Sequence, residues 1–374
     1  MTNLTDMWLS PRTQAAANNE SPARVVVIGG DGVGPEVVAA AVHCLRALKA
    51  PLEIEEPAHG LAAERSEGSA FPDATRRAID TADAVLFGAC DTGPDGRAKP
   101  ILHHLRFGRH AWANIRPACT LDAVPSKLGE GINMVIVREL SEGAYPGREG
   151  ELSTLTERLP ELRDRVGRPL PRDGKFAVTV TTAEAARRVG RYAATLARHR
   201  ADRGYSPGKV TVVDKGNVLV ESSRLFREQC EAEAHKAGVA VDHVYVDEAA
   251  RRLVAVPQSF DVIVTTNLFG DILSDISAEA MGGMPMAPSA AVGDSAAYFE
   301  PCHGSGPDIA GRSLANPTAA ILSAAMMLAY LGHATLGDRL AAATLDTVRG
   351  GERTADLGGS LTTEAFADRV AARL

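Results

Sequence analysis

Short β-branched runs alternate along this chain with stretches whose apolar residues recur at helical spacing. The runs RVVVI at 24–28, AVLFGA at 84–89, NMVIVREL at 133–140, KVTVVDKG at 209–216 and FDVIVTTN at 260–267 have strand length, and 183–200 and 222–237 read as helices between them. Near-continuous apolar strands are covered on both faces, so the alternation predicts an α/β fold. At 374 residues the chain can form two domains with sizeable cores, and no internal repeat is visible. The charged stretch 151–173, with Pro160, Pro169 and Pro171, reads as a long surface excursion or arm.

The first run leads into GGDGVGPEVVAAAVHCLRAL, a strand, a glycine turn and a helix with Pro35 near its start. Gly30, Gly32 and Gly34 give GxGxG, but Pro35 stands where a dinucleotide fingerprint needs its last glycine. The turn is therefore read as a tight connection lining a cleft, not as a Rossmann site. The apolar stretch 318–331 is too short to span a bilayer and reads as a buried helix. With 40 Lys plus Arg against 47 Asp plus Glu, a net charge of −7 gives no general attraction to nucleic acid or anionic membrane. Five cysteines without a CxxC pair suggest neither a disulfide framework nor a zinc knuckle, and a reducing cytoplasm is the expected location. Residues 1–22 lack the pattern of a signal peptide and read as a mobile polar tail.

Several residues carry chemistry. In NLFGDILSDISAE, Asp271 and Asp275 are spaced to share one helix face, where like charges repel unless a cation compensates them. Mg²⁺ or Mn²⁺ fits two carboxylates better than zinc does, although an isolated DxxxD can equally be a solvated helix face. The flanking Leu268, Phe269, Ile272, Leu273 and Ile276 place the pair beside a core. Arg106, Arg116 and Arg138 lie close in sequence and suit bidentate recognition of carboxylates, whereas Arg109 reads as a surface ion pair. Tyr145 in a glycine-rich loop and Lys215 at a strand end could move protons, and Asp247 also ends a strand. The loop FEPCHGSGPDIAGRSLANP has a fixed path suited to cradling adenosine and ribose.

Taken in order, GDGVGPE, LRxxxxxxANIRP, VREL, DKGNVL, NLFGDILSD, HGSGPDIAG and ANPTAAILSAAMML resemble the metal-dependent β-decarboxylating dehydrogenases. These include 3-isopropylmalate, isocitrate, homoisocitrate and tartrate or D-malate dehydrogenases. The resemblance implies an isocitrate/isopropylmalate dehydrogenase-like α/β fold with two domains and a central cleft. It places 23–111 plus 282–374 in a large, cofactor-side domain, and 112–281 in a small central domain carrying the metal and the dimer contact. It implies that Arg106, Arg116 and Arg138 hold malate carboxylates, and that Asp271 and Asp275, with Asp247 of a second subunit, hold Mg²⁺ or Mn²⁺. Tyr145 and the second subunit's Lys215 would move protons. His303, Gly304, Ser305, Gly306, Asp308, Ile309 and Asn316, with Asn217, would bind NAD. Asp308 would accept from a free ribose 2′-hydroxyl and repel a 2′-phosphate, and NADP-dependent members carry Lys and Tyr at the positions of Asp308 and Ile309.

The implied reaction is hydride transfer from C2 of a 3-substituted malate to NAD⁺, loss of CO₂ and protonation at C3, in a homodimer with shared sites. The C3 group would meet the segment KPILHHLR, in which Leu102 remains while His103 and Lys99 replace a leucine and an acid of the isopropylmalate pattern. Such a pocket suits a polar or anionic group, as in homoisocitrate or a phosphonomethylmalate. The alternatives are 3-isopropylmalate dehydrogenase, isocitrate or tartrate dehydrogenase, and a silent regulatory subunit of the same fold. A phosphohydroxythreonine dehydrogenase relative, which shares a similar GDxxGxGPE start, uses histidine metal ligands that cannot be placed among the histidines of this sequence.

Overall fold

In the computed structural model, which describes residues 3–10, 21–93 and 96–374, ten of twelve strands form one sheet. In chain order the strands are β1 (Ala23–Gly30), β2 (Leu52–Glu55), β3 (Ala84–Ala89), β4 (Ala113–Cys119), β5 (Asn133–Glu139), β6 (Glu149–Glu151), β7 (Lys175–Ala177), β8 (Lys209–Asp214), β9 (Ala240–Tyr245), β10 (Val262–Thr265), β11 (Pro288–Val292) and β12 (Ala297–Pro301). The large sheet has the order β2-β1-β3-β12-β11-β4-β5-β10-β8-β9. Strands β2, β1, β3 and β12 are mutually parallel, as are β5, β10, β8 and β9. Three antiparallel pairings, β12–β11, β11–β4 and β4–β5, join the two blocks and make them run in opposite directions. That order excludes the dinucleotide-binding Rossmann sheet.

Sheet register decides which side chains meet. One row of cross-strand partners runs Val85, Tyr298, Ala291, Asn114, Arg138, Thr265, Val213 and Val244. Because side chains alternate with period 2, Glu300 and Arg116, two residues along from Tyr298 and Asn114, share that face. At its ends the face is apolar. Val26, Ile28, Val85 and Phe87 pack with Ile101, Leu102 and Leu105 at one end, and Ile136, Val213 and Ile263 pack with Leu273 at the other. Arginines occupy the middle. The opposite face buries a larger cluster that includes helices Ala183–Asp202 and Thr318–Tyr330. Every residue of Thr318–Tyr330 is buried, as the apolar stretch predicts. Among the described residues no helix is long and apolar enough to cross a membrane.

The glycine turn is a packing device. Gly30 and Gly32 have φ of +80° and +59°, and a Cβ on Gly34 or Gly88 would overlap the backbone of Gly29. The Asp31 carboxylate accepts from the backbone N–H groups of Asp91, Arg97 and Ala98 at 3.0, 3.2 and 3.1 Å. Val33 N donates to the Ser305 carbonyl at 2.8 Å. One turn thus anchors both the approach to helix Lys99–His103 and the loop after β12. Strands β6 and β7 form a separate ribbon, and the helix Leu152–Arg158 that follows β6 buries none of its residues. This agrees with an excursion.

The expected mobile tail is corrected for residues 3–10; residues 1–2 and 11–20 lie outside the described residues. Leu4–Trp8 is a short helix, and Trp8 is fully buried in the main cluster. Thr5 bonds to Asp338 through its amide and hydroxyl, Asp6 accepts from Tyr205 at 2.8 Å, and the buried Arg200 donates to the Met7 carbonyl at 2.8 Å. A polar composition hid one anchoring aromatic. Trp8→Ala is expected to lower the unfolding free energy by about 3 kcal/mol, the usual loss for a buried large aromatic. Urea unfolding followed by circular dichroism checks this, and an unchanged midpoint would show that the segment does not dock.

Candidate active site

Arg138 lies near the end of β5, and β10 beside it leads directly into helix Asn267–Ala278. That connection sets the start of the helix over the guanidinium. Arg138 is about 1% exposed; its Nε and Nη2 donate to Asn267 Oδ1 at 3.0 and 2.7 Å, and its Nη1 donates to Asp271. The helix can come this close because residue 270 is glycine, since a Cβ there would lie 2.6 Å from Arg138 Cγ. The Tyr145 hydroxyl donates to the other oxygen of Asp271, and Arg138 lies over the Tyr145 ring, 4.8 Å from its centroid.

Arg116, two residues beyond Asn114 on β4, donates from Nε to Asn114 Oδ1 at 2.7 Å and lies 3.9 Å from Asp275. Arg106 sits in the π-helical turn His104–Gly108, the kind of helix defect that often re-aims a functional side chain. It donates to the Tyr298 hydroxyl at 2.8 Å and to Glu300 at 3.3 Å. Three guanidiniums, those of Arg116 and Arg138 buried and that of Arg106 nearly so, therefore face three carboxylates: Arg106 with Glu300, Arg116 with Asp275, and Arg138 with Asp271. Buried ions need such pairing.

The two aspartates differ in acidity. Burial raises the Asp271 carboxyl, but Arg138, the Tyr145 hydroxyl, Arg116 and Arg106 outweigh it and leave the group below the ordinary value. Asp275 is raised by burial, with Arg116 opposing and Asp271 reinforcing. Tyr145 is raised as well, by burial first, against Arg138 and in line with its bond to Asp271. Asp275 remains open to solvent, with a side chain 57% exposed. Two hard oxygen donors one helical turn apart, one of them accessible, fit Mg²⁺ or Mn²⁺. Among the described residues no group of three His, Cys, Asp or Glu side chains could hold a metal.

Lys215, in the turn just after β8, and Asp247, in the helix Val246–Ala255 that follows β9, form an ion pair with each other. Asn217 lies exposed on the same turn. Leu268 and Ile272, expected beside the core, are instead 45% and 52% exposed, because only Leu273 among the flanking apolar residues turns fully inward. They add to exposed Val218, Val220, Val254 and Val256. Leu102 is 5% exposed and packs in the core cluster that includes Ile101 and Leu105. His103 is exposed, and partial burial, then Lys99 and Arg106, hold its ring below the ordinary histidine value. Lys99, His103 and Arg106 thus follow one another along one helical run, with Lys99 donating to the Thr92 carbonyl at 3.3 Å. Arg109 makes the expected peripheral contacts, 3.6 Å from Asp80 and 3.0 Å from the Ser295 carbonyl.

The loop from Cys302 to Asn316 begins where β12 ends. His303 Nδ1 lies 3.0 Å from the Gly304 carbonyl, and Nε2 is buried with no hydrogen-bond partner among the described residues. Burial lowers its affinity for a proton. Gly304 has nothing near the position of a Cβ, Ser305 holds the glycine turn, Gly306 has φ +48°, and Asp308 and Ile309 are exposed. An orphaned buried nitrogen beside open backbone fits a nucleotide base. Asn316 is internal: it donates to Asp356 at 3.0 Å and accepts from Thr318 N at 3.0 Å, which fixes the end of the loop.

Three arginines paired with three carboxylates, with a tyrosine beside them, suit an oxidoreductase acting on small carboxylic acids. The family model for isocitrate/isopropylmalate dehydrogenase matches residues 24–370, and the chain belongs to that family, whose members use NAD(P) and a divalent metal. It is 39% identical over 353 residues to the 3-isopropylmalate dehydrogenase of Archaeoglobus fulgidus, covering 94% of this chain and 99% of that one. It is 40% identical to the isocitrate/homoisocitrate dehydrogenase of Thermus thermophilus, covering 93% and 97%. The crystal structure of isocitrate dehydrogenase from Methylococcus capsulatus superposes with a TM-score of 0.82 at 33% identity, covering 94% and 99%.

The structure adds Asn114, Asn267, Gly270, Tyr298 and Glu300 to the site. Of these only Asn267, closing the run FDVIVTTN, carried a signal in the sequence. Unequal stability effects are expected from the two aspartates in metal-free protein. Asp271, lowered on folding, stabilises above about pH 4 and loses that contribution as pH falls through its folded value. Asp271→Asn should therefore destabilise at pH 7, by roughly 1–3 kcal/mol given its partial solvation. Asp275, raised on folding and largely solvated, lacks that contribution, so Asp275→Asn should change the melting temperature at pH 7 less than Asp271→Asn does. Thermal unfolding of both variants checks the order; equal shifts would refute the charge assignment.

Proposed function

We propose that the chain is an NAD-dependent, Mg²⁺- or Mn²⁺-assisted dehydrogenase that oxidises and decarboxylates a malate bearing a polar or anionic group at C3. The observation that carries this reading is the balanced cluster of three arginines and three carboxylates. A dication held by Asp271 and Asp275 would add two positive charges, which the two carboxylates of a malate match. When bound, the dication supplies Lewis acidity at the 2-hydroxyl, and the nicotinamide ring accepts hydride. Arg106, Arg116 and Arg138 would hold and orient the carboxylates, and Tyr145, freed from Asp271, would deliver the proton to C3.

Asp247 and Lys215 would complete the site from a second copy of the chain. The exposed apolar side chains Leu268 and Ile272, on the same helix as Asp271 and Asp275, support that packing. In this reading 23–111 with 282–374 form the cofactor-side domain and 112–281 the metal- and dimer-side domain, with the cleft along the arginine row. The loop 302–316 would take the adenosine, with His303 Nε2 accepting from the adenine amino group. Asp308 would engage the ribose 2′-hydroxyl and so select NAD over NADP. Lys99 and His103, on the arginine-bearing helical run, would meet the C3 group: Lys99 offers charge, and neutral His103 offers a hydrogen bond.

Steady-state kinetics on 3-isopropylmalate, isocitrate, homoisocitrate and a 3-phosphonomethyl malate test the assignment. After chelation, Mn²⁺ or Mg²⁺ should restore NAD⁺ reduction, and kcat/KM for an anionic C3 group should exceed that for isopropylmalate by about tenfold or more. Lys99→Ala should erase most of that margin. A preference for isopropylmalate defeats the pocket assignment, and nucleotide binding without turnover on any malate would indicate a silent subunit.

A further inference from the structure

The register that brings Arg116 and Arg138 together also gives each an uncharged partner. Asn114 and Asn267 are both about 1% exposed, and each presents its amide oxygen to a guanidinium. The other end of each amide fixes that orientation. Asn114 Nδ2 donates to Ser289 Oγ at 2.9 Å and to the Ala290 carbonyl at 3.2 Å, while Asn267 Nδ2 donates to the Glu142 carbonyl at 3.0 Å. With acceptors on that side, only oxygen can face the arginine.

This chain also contains the ordinary solution for a buried arginine. Arg200, wholly buried, is held by the carboxylate of Asp261 at 2.8 Å, with carbonyls and Asn133 taking its remaining donors. An aspartate in place of Asn114 or Asn267 would occupy the same volume and grip more strongly, but it would cancel the charge of the arginine it holds. The carboxylates that do reach Arg116 and Arg138 are Asp275 and Asp271, the pair assigned to the dication. Once those two are engaged elsewhere, the amides are the supports that remain.

We infer that Asn114 and Asn267 are positioning residues whose neutrality is their essential property, since they orient Arg116 and Arg138 while leaving both charges free for substrate carboxylates. This rests on the substrate role of those arginines proposed above. The test compares Asn→Asp with Asn→Ala at each position in the full chain, with Mn²⁺ present. It reads KM for the malate substrate and, separately from turnover, calorimetric binding of malonate as a non-reacting dicarboxylate. The aspartate variants should weaken malonate binding and raise KM about tenfold or more, further than the alanine variants do, although aspartate keeps an acceptor. Circular dichroism verifies folding, and if aspartate at 267 unfolds the chain against the Glu142 carbonyl, the pair at 114 decides. Aspartate variants that bind malonate better than alanine variants, or as well as the parent, overturn the inference. Arg138→Ala runs alongside: weakened malonate binding there confines such a failure to the neutrality inference, whereas unchanged binding overturns the substrate reading and this inference with it.

Discussion

A guanidinium held nearly dry at the middle of an apolar sheet is the constraint on which the site depends. Arg138 is about 1% exposed, and ions of its kind persist in such places only with close pairing and satisfied donors. The fold meets that demand through three local arrangements. A parallel pairing of β5 with β10 sets Asn267 just beyond the arginine, Gly270 lets the helix approach, and the helix delivers Asp271 to the outer nitrogen. Each fails without the others.

Resting neutrality has a functional consequence. In the single chain Asp271 is occupied by Arg138 and Tyr145, while Asp275 is looser and more basic. With Asp271 and Asp275 holding a dication, the Tyr145 hydroxyl and the Arg138 guanidinium would be free to meet a substrate. The turn 29–34 links the remaining parts, since Asp31 holds the approach to the arginine-bearing helical run and the backbone of Val33 holds the loop that suits a nucleotide.

Much of this was legible in the residues. The strand runs at 84–89 and 133–140, the buried helix near 318–331 and the helix carrying Asp271 and Asp275 all appear close to their predicted places, because apolar periodicity there agrees with burial. The edges and the joining strands were harder to see. Strand β4 reads ANIRPAC, whose arginine and proline disguise a wholly buried strand, and β9 is half-exposed with mixed polarity. Asn114, Tyr298 and Glu300 became visible only through register, which pairs residues distant in sequence. Leu268 and Ile272 read as core because they are apolar, yet apolar side chains can also lie exposed. Trp8 failed in the opposite sense, as one aromatic outweighed the polar residues around it.

The central claim is that Asp271 and Asp275 of one protomer and Asp247 of another serve a single dication. Complementation between two inactive variants tests it most directly. Asp275→Asn and Asp247→Asn are each purified, then unfolded and refolded together, and the activity of the mixture is compared with that of each alone. Mixed dimers carry one site with every aspartate intact, so NAD⁺ reduction should reappear at about a quarter of the parent level for random pairing into dimers. A mixture no more active than its components, while refolded parent protein regains activity, would contradict a site divided between subunits.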